Sequence, residues 1–306
     1  MPTKPETSLG RGRALITYAV YRGSASVLQM LPGPVSRLVA AMVGVVAWAA
    51  GPARRRIVAE NLAPVLGVHP HDRRLAPLVR RAYVDYGVYW SDAAHLTTAE
   101  VHRHPERFCL SGTDIWDDFV GRGNGGIIVL PHLGCWEAGA AWTSAMGYPL
   151  TTVAEVLEPP ELYAWFARMR RRVDLTVLPV GTETVPRLLA SLAEGTVVAL
   201  LADRDITGDG VDVEFFGQKT RVPGGPALLA LRSGAPLLPC AIFVRGGGSY
   251  GLELRQPIDT ARKGRLREDV ERVSQDIVNT FEDLIRKAPE QWHVFQPLWN
   301  ADGADR

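Results

Sequence analysis

The sequence predicts an α/β protein: a central, mainly parallel sheet flanked by helices, with an N-terminal helical layer that faces a membrane. Two observations carry this. From Gly126 onward, short apolar runs alternate with helical stretches, the pattern of successive strand–helix–strand units that builds a parallel sheet. Ahead of that, residues 1–60 hold the longest apolar run of the chain (38–50) and eight basic residues, Lys4, Arg11, Arg13, Arg22, Arg37 and Arg54, Arg55, Arg56, against only Glu6 and Glu60.

Taken in order, helices are expected over 14–31, 36–50 and 53–66, separated by Pro32, Gly33 and Pro34 and then by Gly51 and Pro52. The apolar run of 38–50 falls short of the roughly 20 residues that span a bilayer, and it starts too deep in the chain for a signal peptide. With its basic neighbours it reads either as N-terminal helices packed on a core, with Arg54, Arg55 and Arg56 a solvated helix end, or as an amphipathic basic layer lying on an anionic membrane surface. Residues 72–96 place Leu75, Leu78, Val79, Ala82, Tyr83, Tyr86, Tyr89 and Trp90 at helical spacing, a face that reads as core. Strands follow at 126–130, 150–154, 176–179, 197–201, 237–243 and 252–254. Helices at 136–146, 161–172, 184–194, 226–233 and 268–286 interleave with them. The glycines at 246, 247 and 248, between two strand-like segments, read as a hairpin turn, and 207–210 reads as a turn as well. With no internal repeat and no low-complexity linker, residues 1–306 read as one domain whose segment 1–52 forms the membrane-associated layer.

Composition narrows the function classes. The 306 residues carry 34 Lys+Arg against 33 Asp+Glu, so the basic excess of a nucleic-acid binder is missing. Hydrophobic residues at 46% and charged ones at 22% exclude intrinsic disorder for the bulk of the chain. Cys109, Cys135 and Cys240 are too few and too scattered for a disulfide scaffold and suit a reducing compartment. His69 with His71, and His102 with His104, lack cysteine or carboxylate partners at zinc-ligand spacing, so no metal site is expected. No G-x-S-x-G elbow is present.

Sites in open α/β sheets form beyond the carboxyl ends of the strands. The run 127–130 ends at Pro131 and His132, with Glu137 five residues on. On a regular helix five residues leave two side chains about 140° apart. His132 and Glu137 therefore converge only if His132 precedes the helix and Gly134 turns the backbone. The chemistry such a pair supports is a histidine base whose ring is oriented by a carboxylate; the alternative is a histidine that merely caps a strand end. A second charged cluster, Asp203, Arg204 and Asp205, follows the apolar run 197–202, and Asp203 is a further candidate partner for His132. Arg221 precedes a glycine- and proline-led helix start, and from charge and position Arg204 and Arg221 are candidates to reach a phosphate. Cys135, three residues from His132, is a weaker candidate as a thiol nucleophile.

These residues resemble the lysophospholipid acyltransferase superfamily, closest to the branch of bacterial lipid A lauroyl/myristoyl acyltransferases and actinobacterial phosphatidylinositol mannoside acyltransferases. His132–Glu137 (HLGCWE) is similar to that family's H-x4-D/E motif with its internal glycine and tryptophan. Residues 202–205 (ADRD), 210–217 (GVDVEFFG) and 220–226 (TRVPGGP) resemble its second motif region, and 235–239 (APLLP) the strand after the next helix. Residues 289–297 (PEQWHVFQP) resemble the tryptophan–histidine segment of the mannoside branch, and 152–170 also resemble that branch. Five motifs in order, over about residues 54–300, carry the likeness.

The resemblance implies transfer of a fatty acyl group, of palmitoyl type, from acyl-CoA or acyl carrier protein to a hydroxyl of a membrane glycolipid. In the mannoside branch the acceptor is a mannose on phosphatidylinositol. It implies His132 as general base, Asp203 as its carboxylate partner, Glu137 as a second catalytic carboxylate, and Arg170, His293 and Trp136 on the substrate side. Where the mannoside branch has glutamate and aspartate, this chain has Asp203 and Glu137, so a different glycolipid acceptor is an alternative, as is an acyl-thioesterase or lipid hydrolase on the same fold. No bound cofactor is required. A monomer working from the cytoplasmic face of the cell membrane as a peripheral protein is expected. The chemistry fits, since a histidine with an ordinary pKa of about 6.5 takes a proton at neutral pH and donors beyond a strand end stabilise a thioester oxyanion.

Overall fold

The computed structural model describes residues 8–121, 123, 125–206 and 208–299. Four long helices come first: α1 (Ser8–Met30), α2 (Gly33–Ala50), α3 (Pro52–Leu66) and α4 (Leu75–His95). Helix α2 begins three residues earlier than expected. Pro34 lies in its first turn, where a proline has no intrahelical N–H to lose, so the proline pair that reads as a break instead starts the helix. Over 18 residues, α2 is long and apolar enough to cross a membrane, the one such helix among the described residues. Here it lies along α4. Its inner face is small, with Ser36, Ala40 and Gly44 buried. A Cβ on Gly44 would sit 2.3 Å from the Tyr83 carbonyl oxygen, and one on Gly87 would sit 2.2 Å from that of Ala40. Only glycine permits this backbone approach. Ser36 Oγ and Ser91 Oγ share a hydrogen bond of 2.7 Å, and Arg37 grips Asp92 with two bonds of 2.8 Å.

The rest of the chain alternates as expected: α5 (Thr98–Arg103), β1 (Phe108–Ser111), α6 (Thr113–Gly121), β2 (Gly126–Leu130), α7 (Trp136–Ala145), β3 (Leu150–Ala154), α8 (Pro160–Arg171), β4 (Leu175–Pro179), α9 (Thr184–Ala193), β5 (Val197–Leu201), β6 (Val211–Phe215), β7 (Gln218–Val222), α10 (Gly225–Ser233), β8 (Leu237–Val244), β9 (Tyr250–Leu254) and α11 (Leu266–Lys287). Seven strands form one sheet in the order β1-β9-β8-β2-β5-β3-β4. Its pairs are parallel except β8 with β9, which are joined by the turn expected at Gly247. Strand β2 is buried along its whole length. Ile127 and Val129 point into the core shared with α3, α10 and α11, whereas Ile128 and Leu130 point into the core under α6 and α7. Burial on both faces is why the strand reads as an unbroken apolar run.

Elements α5, β1, α6 and the hairpin β6–β7 go beyond the expected set. In the hairpin, Val213, Phe215, Thr220 and Val222 are buried and alternate with exposed charges, a two-residue period of only five positions per strand. Phe216 and Gly217 turn it with φ of 51° and 71°, as a tight hairpin with matching twist requires. Of the turn expected at 207–210, Thr207 lies outside the described residues, as do 1–7 and 300–306 of the expected domain.

Candidate active site

Strand β2 ends at Leu130 and Pro131, and His132 follows before α7 begins. Its ring Nδ1 lies 2.5 Å from Asp203 Oδ1, and its backbone N–H donates to Asp203 Oδ2 at 2.9 Å. Asp203 arrives from the end of β5, the strand paired with β2, so the two carboxyl ends bring the imidazole and the carboxylate together. Asp203 is fully buried. Burial works to raise its carboxyl, but the His132 charge and hydrogen bonds from His132 and the Trp292 indole overcome it and hold it at about 2. A carboxylate only accepts, so Nδ1 carries the proton and Nε2 is the basic nitrogen. Asp203, rather than Glu137, is thus the carboxylate that orients His132.

The turn after His132 depends on Gly134. Its φ is +64°, and a Cβ there would lie 1.8 Å from the Ile242 carbonyl oxygen. A C-terminal strap runs against this turn. His293 N–H donates to the His132 carbonyl at 2.7 Å, and Gly134 N–H donates to that of Gln291 at 2.9 Å. The Gln291 side chain in turn bonds both backbone groups of Val244 on β8.

Around this turn lie buried polar groups with unmet hydrogen bonds. Glu137 is buried in the first turn of α7. Tyr89 donates to its Oε1 at 3.2 Å and Arg170 Nε stands 3.7 Å away, while Oε2 has no partner. Burial pushes the Glu137 carboxyl up, against the pull of Arg170. His293 is buried, with Nε2 3.0 Å from the Gly134 carbonyl and Nδ1 without a partner. Burial lowers it to about 3, so it is neutral. Because the carbonyl accepts, Nε2 carries the proton and Nδ1 is a bare acceptor. The Trp136 indole N–H is also buried; it makes no full hydrogen bond but lies near enough to the Glu137 carboxylate to help hold it down. Tyr89 packs 4.5 Å from the Trp136 ring and 5.2 Å from that of His293, which gathers these groups in one place. Tyr86 and Tyr89, read from spacing as core, do lie in the core under α6 and α7, and both also pack against His293.

The Trp136 ring stands edge-on to His132, centroids 5.5 Å apart, and also lines a deep apolar cavity. The cavity runs between the sheet and α7, past Ile128, Leu130, Ala140, Leu201 and Ile242, to Trp116 and Trp142. Arg170 is the charged residue on its wall.

Arg204, next to Asp203, is half-buried with an unpartnered Nε, and its charge reaches the Tyr86 hydroxyl together with that of Arg54. Arg221 is engaged elsewhere. It bonds Asp212 across the hairpin at 3.1 Å and the Gly208 carbonyl at 3.3 Å. Cys135 is fully buried and burial pushes its thiol well above the ordinary value, which removes it as a nucleophile. Among the described residues no cluster of three or more His, Cys, Asp or Glu could hold a metal. Trp292 and Tyr89 are the site residues that spacing does not single out. Their shared signal is a polar tip on a large buried ring, which needs a partner.

The family described as bacterial lipid A biosynthesis acyltransferase matches residues 6–301. A phosphatidylinositol mannoside acyltransferase of Mycolicibacterium smegmatis is 36% identical over 250 residues, covering 80% of this chain and 79% of that protein. Proteins of the same description from two strains of Mycobacterium tuberculosis are 37% identical over 249 residues, covering 79% of this chain and 76% of theirs.

Proposed function

The chain belongs to the bacterial lipid A biosynthesis acyltransferase family, and from that premise we propose that it moves a palmitoyl-type acyl group from acyl-CoA to a hydroxyl of a membrane glycolipid, specifically a mannose of a phosphatidylinositol mannoside. The observation that carries this is the buried His132–Asp203 pair packed against Trp136, whose ring also lines an apolar cavity. His132 Nε2 removes the acceptor hydroxyl proton as that oxygen attacks the thioester carbonyl. Asp203, already ionised, steadies the imidazolium that forms. The tetrahedral intermediate collapses, the C–S bond breaks, and the proton passes from His132 to the departing thiolate. The acyl chain lies in the cavity beyond Trp136. As the acceptor displaces the side chains that cover them, Glu137 Oε2 and His293 Nδ1 accept hydrogen bonds from its sugar hydroxyls, and Arg170 and the Trp136 N–H donate them. The Arg204 guanidinium faces the phosphate of the acceptor or the donor. Helices α1 and α2, apolar outside, set the protein on the cytoplasmic face of the membrane as a peripheral enzyme.

The test offers palmitoyl-CoA, or palmitoyl-acyl carrier protein, to the purified chain with and without phosphatidylinositol mannoside in vesicles. Acceptor-dependent release of CoA with a new acyl-glycolipid is the expected result, and folded His132→Ala protein should show none. CoA release that ignores the acceptor would establish a hydrolase instead.

A further inference from the structure

The Asp203 carboxylate has a third donor that the proposed chemistry leaves unused. Trp292 Nε1 donates to Asp203 Oδ2 at 2.8 Å, and both residues are buried, at 1% and 0% exposure. The same oxygen takes the His132 backbone N–H, which leaves Oδ1 to the imidazole. Two donors from different directions on one oxygen fix the rotation of the carboxylate, and with it the plane in which it meets Nδ1. The indole is itself held. Phe215 and Phe216 from the tip of the hairpin, with Trp299, surround its ring at centroid distances of 5.7, 6.0 and 6.2 Å. Its backbone pairs with Leu133 in the strap that also bonds His132 and Gly134.

We propose that Trp292 is the positioning residue of this site, the outer member of a Trp292–Asp203–His132 chain that sets the angle of the base. The assignment rests on the reading of His132 and Asp203 as the catalytic pair. A tryptophan that only filled the core would need its rings and not its N–H. The positive end of the N–H dipole points at the carboxylate. Removing it leaves that buried charge less compensated, so the histidine–carboxylate couple holds its proton more tightly.

The test removes the donor and keeps the ring. Trp292→Phe is one variant. The second places 3-benzothienylalanine at position 292 by suppression, with sulfur in place of N–H, and remains decisive where the phenyl variant fails to fold. Expected for either folded variant is kcat 10- to 100-fold lower, the loss that follows removal of one hydrogen bond to a buried charge. KM should stay near wild type, and the acid limb of the kcat/KM profile should move to higher pH. Ring-labelled histidine NMR reads the same upward displacement of the couple's titration without any substrate. Asp203→Asn runs alongside. If that variant is inactive while the sulfur analogue keeps wild-type kcat, pH profile and titration, the catalytic pair stands and the role of Trp292 falls. If Asp203→Asn keeps wild-type activity, the pair itself falls and the proposal with it.

Discussion

Asp203 and His293 make the site acid-sensitive in ways that differ in sign of charge and agree in direction. Asp203 sits at about 2 when folded against an ordinary 3.8, so its stabilisation is present above 3.8 and is lost as pH falls from there toward 2. His293 is lowered from 6.5 to about 3, so the unfolded chain takes up a proton that the folded chain refuses between those values. Stability therefore drops by up to about 1.4 kcal/mol per pH unit from this residue alone as pH falls from about 6 to 3. Urea titrations of wild type and His293→Phe at pH 7 and 4.5 check this, and the variant should lose less stability across the interval. In the active site, Asp203→Asn should reduce kcat by about 1,000- to 10,000-fold with the fold intact, because an amide holds the imidazole in the wrong tautomer; thermal melts and steady-state rates measure the two effects separately. At this scale His132 and Asp203 were legible because charges at the ends of apolar strands have few structural reasons to be there. Trp292 was marked only by the resemblance of residues 289–297; its indole N–H meets a partner 89 positions away, and no spacing rule reaches that far.

Between elements, the α2–α4 contact decides whether the N-terminal layer stays attached to the site. Gly44 and Gly87 let the helices touch backbone to backbone, and Arg37 neutralises Asp92, which is 5% exposed on the α4 side. Burial raises the Asp92 carboxyl, and Arg37 opposes it most, with smaller help from the Tyr250 hydroxyl and Arg107. Removing only the cation in Arg37→Met strands a buried charge and should cost about 3–5 kcal/mol. The double variant with Asp92→Leu should recover much of that loss, and chemical denaturation of the four proteins of this cycle measures the coupling. The strands β2, β5 and β8 were legible because two-sided burial demands continuous apolar runs, whereas β3 and the edge strand β4 were read from their alternation with helices. Hairpin β6–β7 escaped, since five-residue strands with alternating charge look like any exposed loop until α11 covers one face. Helix α2 was read too short because Gly33 and Pro34 punctuate as strongly at a helix start as at a break.

For the molecule as a whole, the outward faces of α1 and α2 form one apolar surface with a cationic border. Met30 is 82% exposed, Val46 66%, Leu38 61%, Val43 60% and Val27 56%, the kind of exposed apolar area that marks an interaction surface. Arg54 and Arg55 stand at its edge, and Arg55 also stacks over Trp48 at 5.1 Å. Because Leu38 and Val46 contact solvent rather than α4, Leu38→Glu with Val46→Glu should leave the fold, its melting temperature and the turnover of a water-soluble acceptor analogue unchanged. Each substitution withdraws a side chain worth about 1.5–3 kcal/mol when buried in lipid. Binding to vesicles rich in anionic phospholipid, measured by flotation, should therefore weaken about 100-fold or more, with acylation of vesicle-borne acceptor falling in step. Wild-type binding should also weaken as salt screens Arg54 and Arg55, whereas the apolar part should persist. A double variant that still floats with vesicles would separate this surface from the membrane and leave the approach of a lipid acceptor to some other face of the protein.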